Sequence, residues 1–193
     1  AGGMAADLDV FIRSDADPLV AWTYHRHFTH SLAFIPVGGV VSALPWILRK
    51  RFAEQRWPIV LATTAGYATH ALLDAFTSYG TQLWWPLSSA RVALNWIGII
   101  DPMFTVPLGV GVVLTALRKR LRPLWIALSW CALYMLWGGV QHGRAVAEAE
   151  RLAAERGHRP SRVVAMPGVF TNVLWRSLYE ADGFIYVDAV HVP

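Results

Sequence analysis

Residues 25–48, HRHFTHSLAFIPVGGVVSALPWIL, place three imidazoles, His25, His27 and His30, directly ahead of a run without a single charged side chain. At a rise of 1.5 Å per residue, the apolar part from 32 to 48 extends roughly 25 Å as a helix, at the short end of what crosses a hydrocarbon core. A cluster of metal-type ligands at the lip of such a run asks for both a membrane fold and a site at its edge.

The rest of the chain answers the first half. Of its residues 55% are hydrophobic and only 16% charged, where a soluble domain carries about 25% charge; the mean hydropathy is +0.37. Ten Trp and eleven Pro fit the same solvent, because indoles settle at the headgroup level and membrane helices tolerate proline. Cys131 is the one cysteine, so a disulfide framework and a thiolate zinc site are both excluded. The formal charge of +4 does not signal nucleic acid. Its basic residues gather in two short loops, Arg49, Lys50, Arg51 and Arg56, then Arg118, Lys119, Arg120 and Arg122, as the positive-inside rule describes. The start AGGMAADLDV has neither the basic flank nor the apolar core of a signal peptide. Since position 1 is not Met, a preceding membrane helix is expected to have been cut away.

Four apolar segments emerge, at 32–48, 58–76, 96–117 and 124–140. They predict a mainly α fold: a polytopic membrane helical bundle of about four transmembrane helices, residues 1–140, followed by a small extramembrane α/β tail, residues 141–193. In the tail QHGRAVAEAERLAAERGH reads as a solvated helix, and RVVAM and FIYVDAVHV as strands. With both basic loops in the cytoplasm, residues 1–31, the loop 77–95 and everything after 140 face the outer side.

The stretch GYATHALLDAFTSYG, residues 66–80, carries the chemistry. His70 and Asp74 are four apart, hence on one helical face and able to grip one ion. An ionisable pair in a membrane segment is expensive and is read as functional, the alternative being a His–Asp hydrogen bond that only holds helices together. The predicted orientation brings His25 and His30, Asp7 and Asp9, and Asp101 to the same outer rim. His and Asp ligands without Cys suit zinc first, with manganese or iron as alternatives, and more than three ligands allow two ions. Arg26 and Arg91 are candidate clamps for an anionic oxygen. Thr29 and Ser31 read as helix caps, Asp101 before Pro102 fits both a cap and a ligand, Asp15 and Asp17 read as turn residues, and Thr77, Ser78 and Tyr79 as groups that orient ligands.

Taken together, ADLDV at 6–10, HRHFTHS at 25–31, THALLDAFTSYGTQLWWP at 69–86 and NWIGIIDP at 95–102 resemble the YdjM-like family, LexA-regulated type, of inner-membrane metal-dependent hydrolases. The resemblance extends to the tail NVLWRSLYEADGFIYV. It marks Asp7, Asp9, His25, Arg26, His30, His70, Asp74 and Asp101. Ala6 stands where the family usually has Pro, His27 where a small residue is commoner, and the family's usual first helix is missing from the chain. The scattered His and Asp with an H-x-x-x-D pair are also similar, more distantly, to zinc-dependent phospholipases C, which implies a phosphoester or lipid headgroup as substrate.

The expectation is therefore a multi-pass protein of the bacterial inner membrane, its site and C-terminus extracytoplasmic, that hydrolyses a lipid or small-molecule substrate. Asp7, Asp9, His25, His30, His70 and Asp74 are expected to hold a divalent ion. Asp9, Arg26 and Asp101 are expected in catalysis, with membrane lipids but no nucleic acid as partners. The alternatives are a metal-ion transporter and a non-catalytic structural membrane protein. Transport sits poorly with segments one and four, which carry no ionisable residue in their interiors.

Overall fold

The computed structural model describes residues 2–193 and falls into two compact units, divided between Ala93 and Leu94. The first contains the helices α1 (Gly2–Ala5), α2 (Leu19–Tyr24), α3 (Ile35–Ile47) and α4 (Arg56–Ala75), joined by 3-10 turns at Ala6–Phe11, Phe28–His30, Leu32–Phe34 and Lys50–Gln55. The second contains α5 (Pro102–Arg118), α6 (Arg122–Glu155) and the strands β1 (Arg162–Pro167), β2 (Leu174–Ala181) and β3 (Phe184–His191).

In the first unit α3 starts where Pro36 occupies its opening turn, the position at which a missing N–H costs nothing. The turn before it is capped by Ser31, whose hydroxyl accepts from the Phe34 N–H. Close approach of α3 to α4 depends on Gly38 and Gly39. A Cβ on Gly39 would lie 2.6 Å from Thr64 Cα, and one on Gly38 would lie 2.3 Å from the Tyr67 ring. The gap is tight enough for Thr63 Oγ1 to donate across it to the Gly39 carbonyl at 2.9 Å, the small-residue packing that lets membrane helices meet where burial alone gives no preference. α1 docks on α4 by the same device, since a Cβ on Gly2 would overlap the Thr63 carbonyl. The loop 77–95 is tied down by Arg91, whose guanidinium donates to the carbonyls of Trp22, Thr23, His25 and Gly80. That role replaces the anion clamp expected of it.

In the second unit α6 lays Ala145, Ala149 and Ala153, spaced four apart and fully buried, against the sheet. The inward-facing residues of β2, Trp175, Ser177, Tyr179 and Ala181, fill the space above these small residues. The three strands form an antiparallel meander in the order β1-β2-β3. Asp182 and Gly183 make the β2–β3 turn, both with positive φ (52° and 78°), the conformation of a two-residue turn whose twist matches the strands.

The mainly helical fold with a small C-terminal β unit is as expected, but the four-span bundle is not borne out. Each of the four apolar segments contains a helix, α3 to α6, at lengths of 13, 20, 17 and 34 residues, although the third becomes helical only at Pro102 and not at 96. Among the described residues only α6 is both long and apolar enough to cross a membrane alone. The 60° bent pair Leu19–His30 and Leu32–Ile47 makes a second candidate if it counts as one span. α3 alone covers about 20 Å of a hydrocarbon core roughly 30 Å thick, while α4 has the length but carries Arg56, His70 and Asp74. The boundary expected at 140/141 falls inside α6, which runs on unbroken to Glu155. The change there from apolar to charged residues leaves the helical backbone unbroken. β2 was not anticipated, although its burial alternates strictly over most of its length.

Candidate metal centre

Four ligand atoms from three separate stretches of the first unit meet at one point. Asp7 comes from the 3-10 turn after α1, His30 from the turn before α3, and His70 and Asp74 from the last two turns of α4; one ligand atom of each lies within 4.8 Å of all the others. Imidazole and carboxylate alternate around the group. His30 Nε2 is 3.0 Å from Asp74 Oδ2 and 3.5 Å from Asp7 Oδ1, and His70 Nε2 is 3.3 Å from Asp7 Oδ1 and 3.5 Å from Asp74 Oδ2. A tetrahedral zinc with bonds of about 2.0–2.1 Å has ligand atoms about 3.3 Å apart, and these four separations match four of the six edges of such a coordination sphere. Three of the four atoms, His30 Nε2, His70 Nε2 and Asp74 Oδ2, are buried and make no hydrogen bond. Polar atoms left unpaired inside a protein are costly, and three converging on one point fit a cation there. No thiolate takes part, so the donor set of two imidazoles and two carboxylates admits zinc, manganese or iron.

Helical spacing explains the His70–Asp74 half of the site, since positions i and i+4 stack on one face. The other half is held by a layer of supports. Asp9 is buried and accepts from four groups: His25 Nδ1 at 2.8 Å, the Arg26 N–H at 3.0 Å, the Thr29 hydroxyl at 2.6 Å and, at 3.3 Å, His30 Nδ1. His30 Nδ1 also lies 3.0 Å from Thr29 Oγ1. A carboxylate on one ring nitrogen fixes the proton there and aims the other nitrogen's lone pair at the centre, as in carboxylate–histidine–metal triads. Tyr67 closes the layer by donating from its hydroxyl to the Thr29 carbonyl at 2.6 Å.

Arg26 ties the two halves together. Its N–H serves Asp9, its guanidinium lies 3.2 Å from Asp74 Oδ1 and donates to Thr77 Oγ1 at 2.8 Å, and it stacks 5.0 Å over the Tyr79 ring. Thr77 in turn donates to the Asp74 carbonyl. Arg26 adopts φ 57°, a left-handed conformation that a non-glycine residue holds only where its surroundings over-determine it. Here the contacts to both carboxylates do so.

The electrostatics suit ligation. The close imidazoles of His30 and then His70 outweigh burial and hold the Asp7 carboxyl well below the usual range. For Asp9, burial alone raises the pKa, but the bonds from His30, Thr29, His25 and the Arg26 N–H outweigh it and bring the group down to about 2. Both are ionised at any pH near neutrality.

The expected ligand set thus divides. Asp7, His30, His70 and Asp74 share the centre, whereas Asp9 and His25 bond each other one layer behind it. Asp9 therefore orients His30, in place of the ligand and catalytic roles expected of it. Arg26 is committed to Asp74 and Thr77, not open as a clamp for substrate. Asp101 lies in the second unit with both oxygens engaged: Oδ1 caps α5 by accepting from the Met103 and Phe104 N–H groups, and Oδ2 accepts from the Tyr134 hydroxyl at 2.8 Å. Of its two readings the cap is what the structure shows. Thr29, read as a cap, is a support of His30, a role signalled only by its place next to that histidine. His27 packs against Trp85, Phe28 and Tyr24.

If Asp9 acts only through His30, Asp9→Asn should weaken metal binding about 10–100-fold, the usual cost of losing such a partner. Competition against a chromophoric chelator measures this. A ligand role for Asp9 would instead abolish binding.

The ligands and supports all fall within residues 1–145, which match the family model described as YdjM inner membrane protein. A relative from Bacillus subtilis (strain 168), "Uncharacterized protein YfhP", is 30% identical over 107 residues, covering 55% of this chain and 32% of that protein. The chain thus spans about a third of the relative's length. No solved structure matches. With three quarters of its length under that match, including each helix that bears on the metal centre, the chain belongs to the YdjM inner membrane protein family.

Proposed function

We propose that this chain is an integral-membrane, metal-dependent hydrolase that acts on a phosphoester, such as a lipid headgroup, at the extracytoplasmic face of the inner membrane. The observation that supports it above others is the group of four ligand atoms, three of them buried and unpaired, on the helices of an inner membrane protein. The length of α4 supports this orientation. From Arg56, in the first basic loop, to Asp74 is about 27 Å of helix, close to one hydrocarbon thickness. With the basic loop inside, the His and Asp residues reach the outer headgroups. The proposal keeps the multi-pass topology, each bent or short helix counting toward a span, with membrane lipids and a lipid or small-molecule substrate as partners and no nucleic acid.

A divalent ion held by Asp7, His30, His70 and Asp74, zinc in the first place, would supply an acidified water and a Lewis acid for the phosphoryl oxygen. The chain's own residues do the rest. Asp7 is the half-exposed member of the group, with 48% of its side chain accessible against 0% for His30 and 11% for Asp74, so substrate and water arrive on its side. Its ionised carboxylate is placed to accept a proton from an arriving water. Asp9 and Thr29 keep His30 aimed, and Arg26 holds Asp74 by its outer oxygen.

A structural metal site is the second reading, favoured by the number of candidate ligands: four protein groups are the pattern of closed sites, whereas catalytic zinc usually has three. Detergent-purified protein loaded with zinc or manganese separates the two. Hydrolysis of bis(p-nitrophenyl) phosphate or a short-chain phospholipid is expected with metal and is expected to vanish in His70→Ala. Stoichiometric metal without turnover of phosphodiesters, phospholipids or carboxylic esters would replace the hydrolase with the structural reading.

A further inference from the structure

Beside the metal centre the first unit holds a cleft of about 520 Å³ between the N-terminal segment and α3. Met4, Leu8 and Ile12 form one wall, Phe34, Val41 and Pro45 the other. Its polar groups are already occupied: Ser42 donates to the Gly38 carbonyl, Tyr67 to the Thr29 carbonyl and Thr29 to Asp9. An occupant therefore meets hydrocarbon and finds no donor waiting for it. The cleft is also continuous with an apolar surface of α3 on which Val37, Val40, Val41 and Leu44 are exposed, a surface that in an inner membrane protein faces lipid. From Phe34 to Pro45 it follows α3 for about 16 Å, half the roughly 30 Å hydrocarbon core, that is, one leaflet.

At its polar end the cleft is closed by Asp9 and Thr29, the residues that hold His30. Met4 lies one helical turn before the exposed ligand Asp7, and Leu8 directly after it. Asp7 does not itself line the cleft, but Leu8 and Asp9 after it do, so the head of a chain lying there would emerge beside the segment that carries the exposed ligand.

We propose that this cleft binds a single acyl chain of a membrane phospholipid, drawn from one leaflet, with the phosphodiester head at Asp7. The location of the head rests on the hydrolase reading above; the seat of the chain does not.

The test uses the full chain in vesicles of phosphatidylethanolamine and phosphatidylglycerol doped with phosphatidylglycerol carrying a diazirine on one acyl chain, with cross-links mapped by mass spectrometry. Labelling is expected to concentrate at residues 4–12 and 34–45. Dodecyl phosphate should compete and inorganic phosphate should not. Val41→Trp, which fills the cleft without touching a ligand, is expected to cut labelling at least about tenfold, the equivalent of shutting out two methylenes. Ile12→Trp repeats the test from the other wall should the first variant fold poorly. Labelling no denser there than on the exposed α5 residues Val106, Val110 and Val113, or unchanged in both filled variants, would overturn the proposal. Labelling that persists in metal-free His70→Ala shows that the cleft holds the chain without the centre, and wild-type labelling with no turnover of phosphodiesters or phospholipids keeps the cleft while the hydrolase reading fails; metal retained with no cleft labelling sinks the cleft and leaves the centre standing.

Discussion

His70→Ala and Asp74→Ala are expected to lose the bound metal almost completely, with an affinity drop of more than about hundredfold, since even orienting partners behind a ligand are worth 10–100-fold. Elemental analysis of purified wild-type and variant protein reads the result directly. The two variants should nevertheless differ in stability. Removing His70 deletes a ligand and relieves an unpaired buried nitrogen. Removing Asp74 strips the buried Arg26 guanidinium of its anionic partner, and a buried charge left without its partner typically costs about 3–5 kcal/mol. Asp74→Ala should therefore unfold at markedly lower denaturant than His70→Ala, each measured without metal. Asp74→Asn keeps a hydrogen-bonding oxygen for Arg26 and should fall between. Equal stability of the two alanine variants would show that Arg26 does not depend on Asp74, and metal retained in both would remove the centre itself.

The parts of the site that could be read in the sequence are those set by local periodicity. His70 and Asp74 share a helical face because of the spacing of four, and His30 precedes an apolar run whose start is marked by Ser31 and Pro36. What periodicity does not encode is direction within irregular backbone. The segments 6–11 and 28–30 are 3-10 turns, where a shift of one residue turns a side chain by about 120°. Asp7 and Asp9 therefore meet opposite ring nitrogens of His30 although they are two residues apart, and His25 stays with Asp9 one layer behind the centre. The left-handed bend at Arg26 had no glycine to announce it. At the other end of the chain, the break expected at residue 140 followed composition alone. Alanines at 145, 149 and 153 continue the same helical stripe that buries Cys131, Tyr134 and Gly138 further up, and α6 ends only where Gly157 turns the chain at φ 75°. β2 was passed over because Arg176 and Glu180 interrupt its apolar character, yet they fall on the outward positions of an alternating strand.

Because the centre is assembled wholly within the first unit, damage to the second should leave it intact, and Trp175→Ala tests this with a large effect. Trp175 is 1% exposed; it packs with Ala145, Ala165, Val190 and Val192 and donates its indole N–H to the Asn172 carbonyl at 3.1 Å. Asn172 is itself held by Gln141, which donates to its carbonyl. Truncating a buried tryptophan costs about 3–5 kcal/mol through lost contacts and the cavity left behind. On α6 the cluster is bounded by Ala145, Val146 and Leu152, with the His142 ring 5.9 Å from the indole. Only three strands and one helix face make up this core, so a loss of that size should melt the sheet at temperatures where the wild type is folded, seen as lost β signal and rapid proteolysis after residue 155. Metal stoichiometry in the same sample is expected to stay at the wild-type value, because Asp7, His30, His70 and Asp74 draw all their support from residues before 94. A Trp175→Ala protein that loses its metal along with its sheet would mean that the second unit supplies something the centre needs, and Asp101 would return as a candidate for that role.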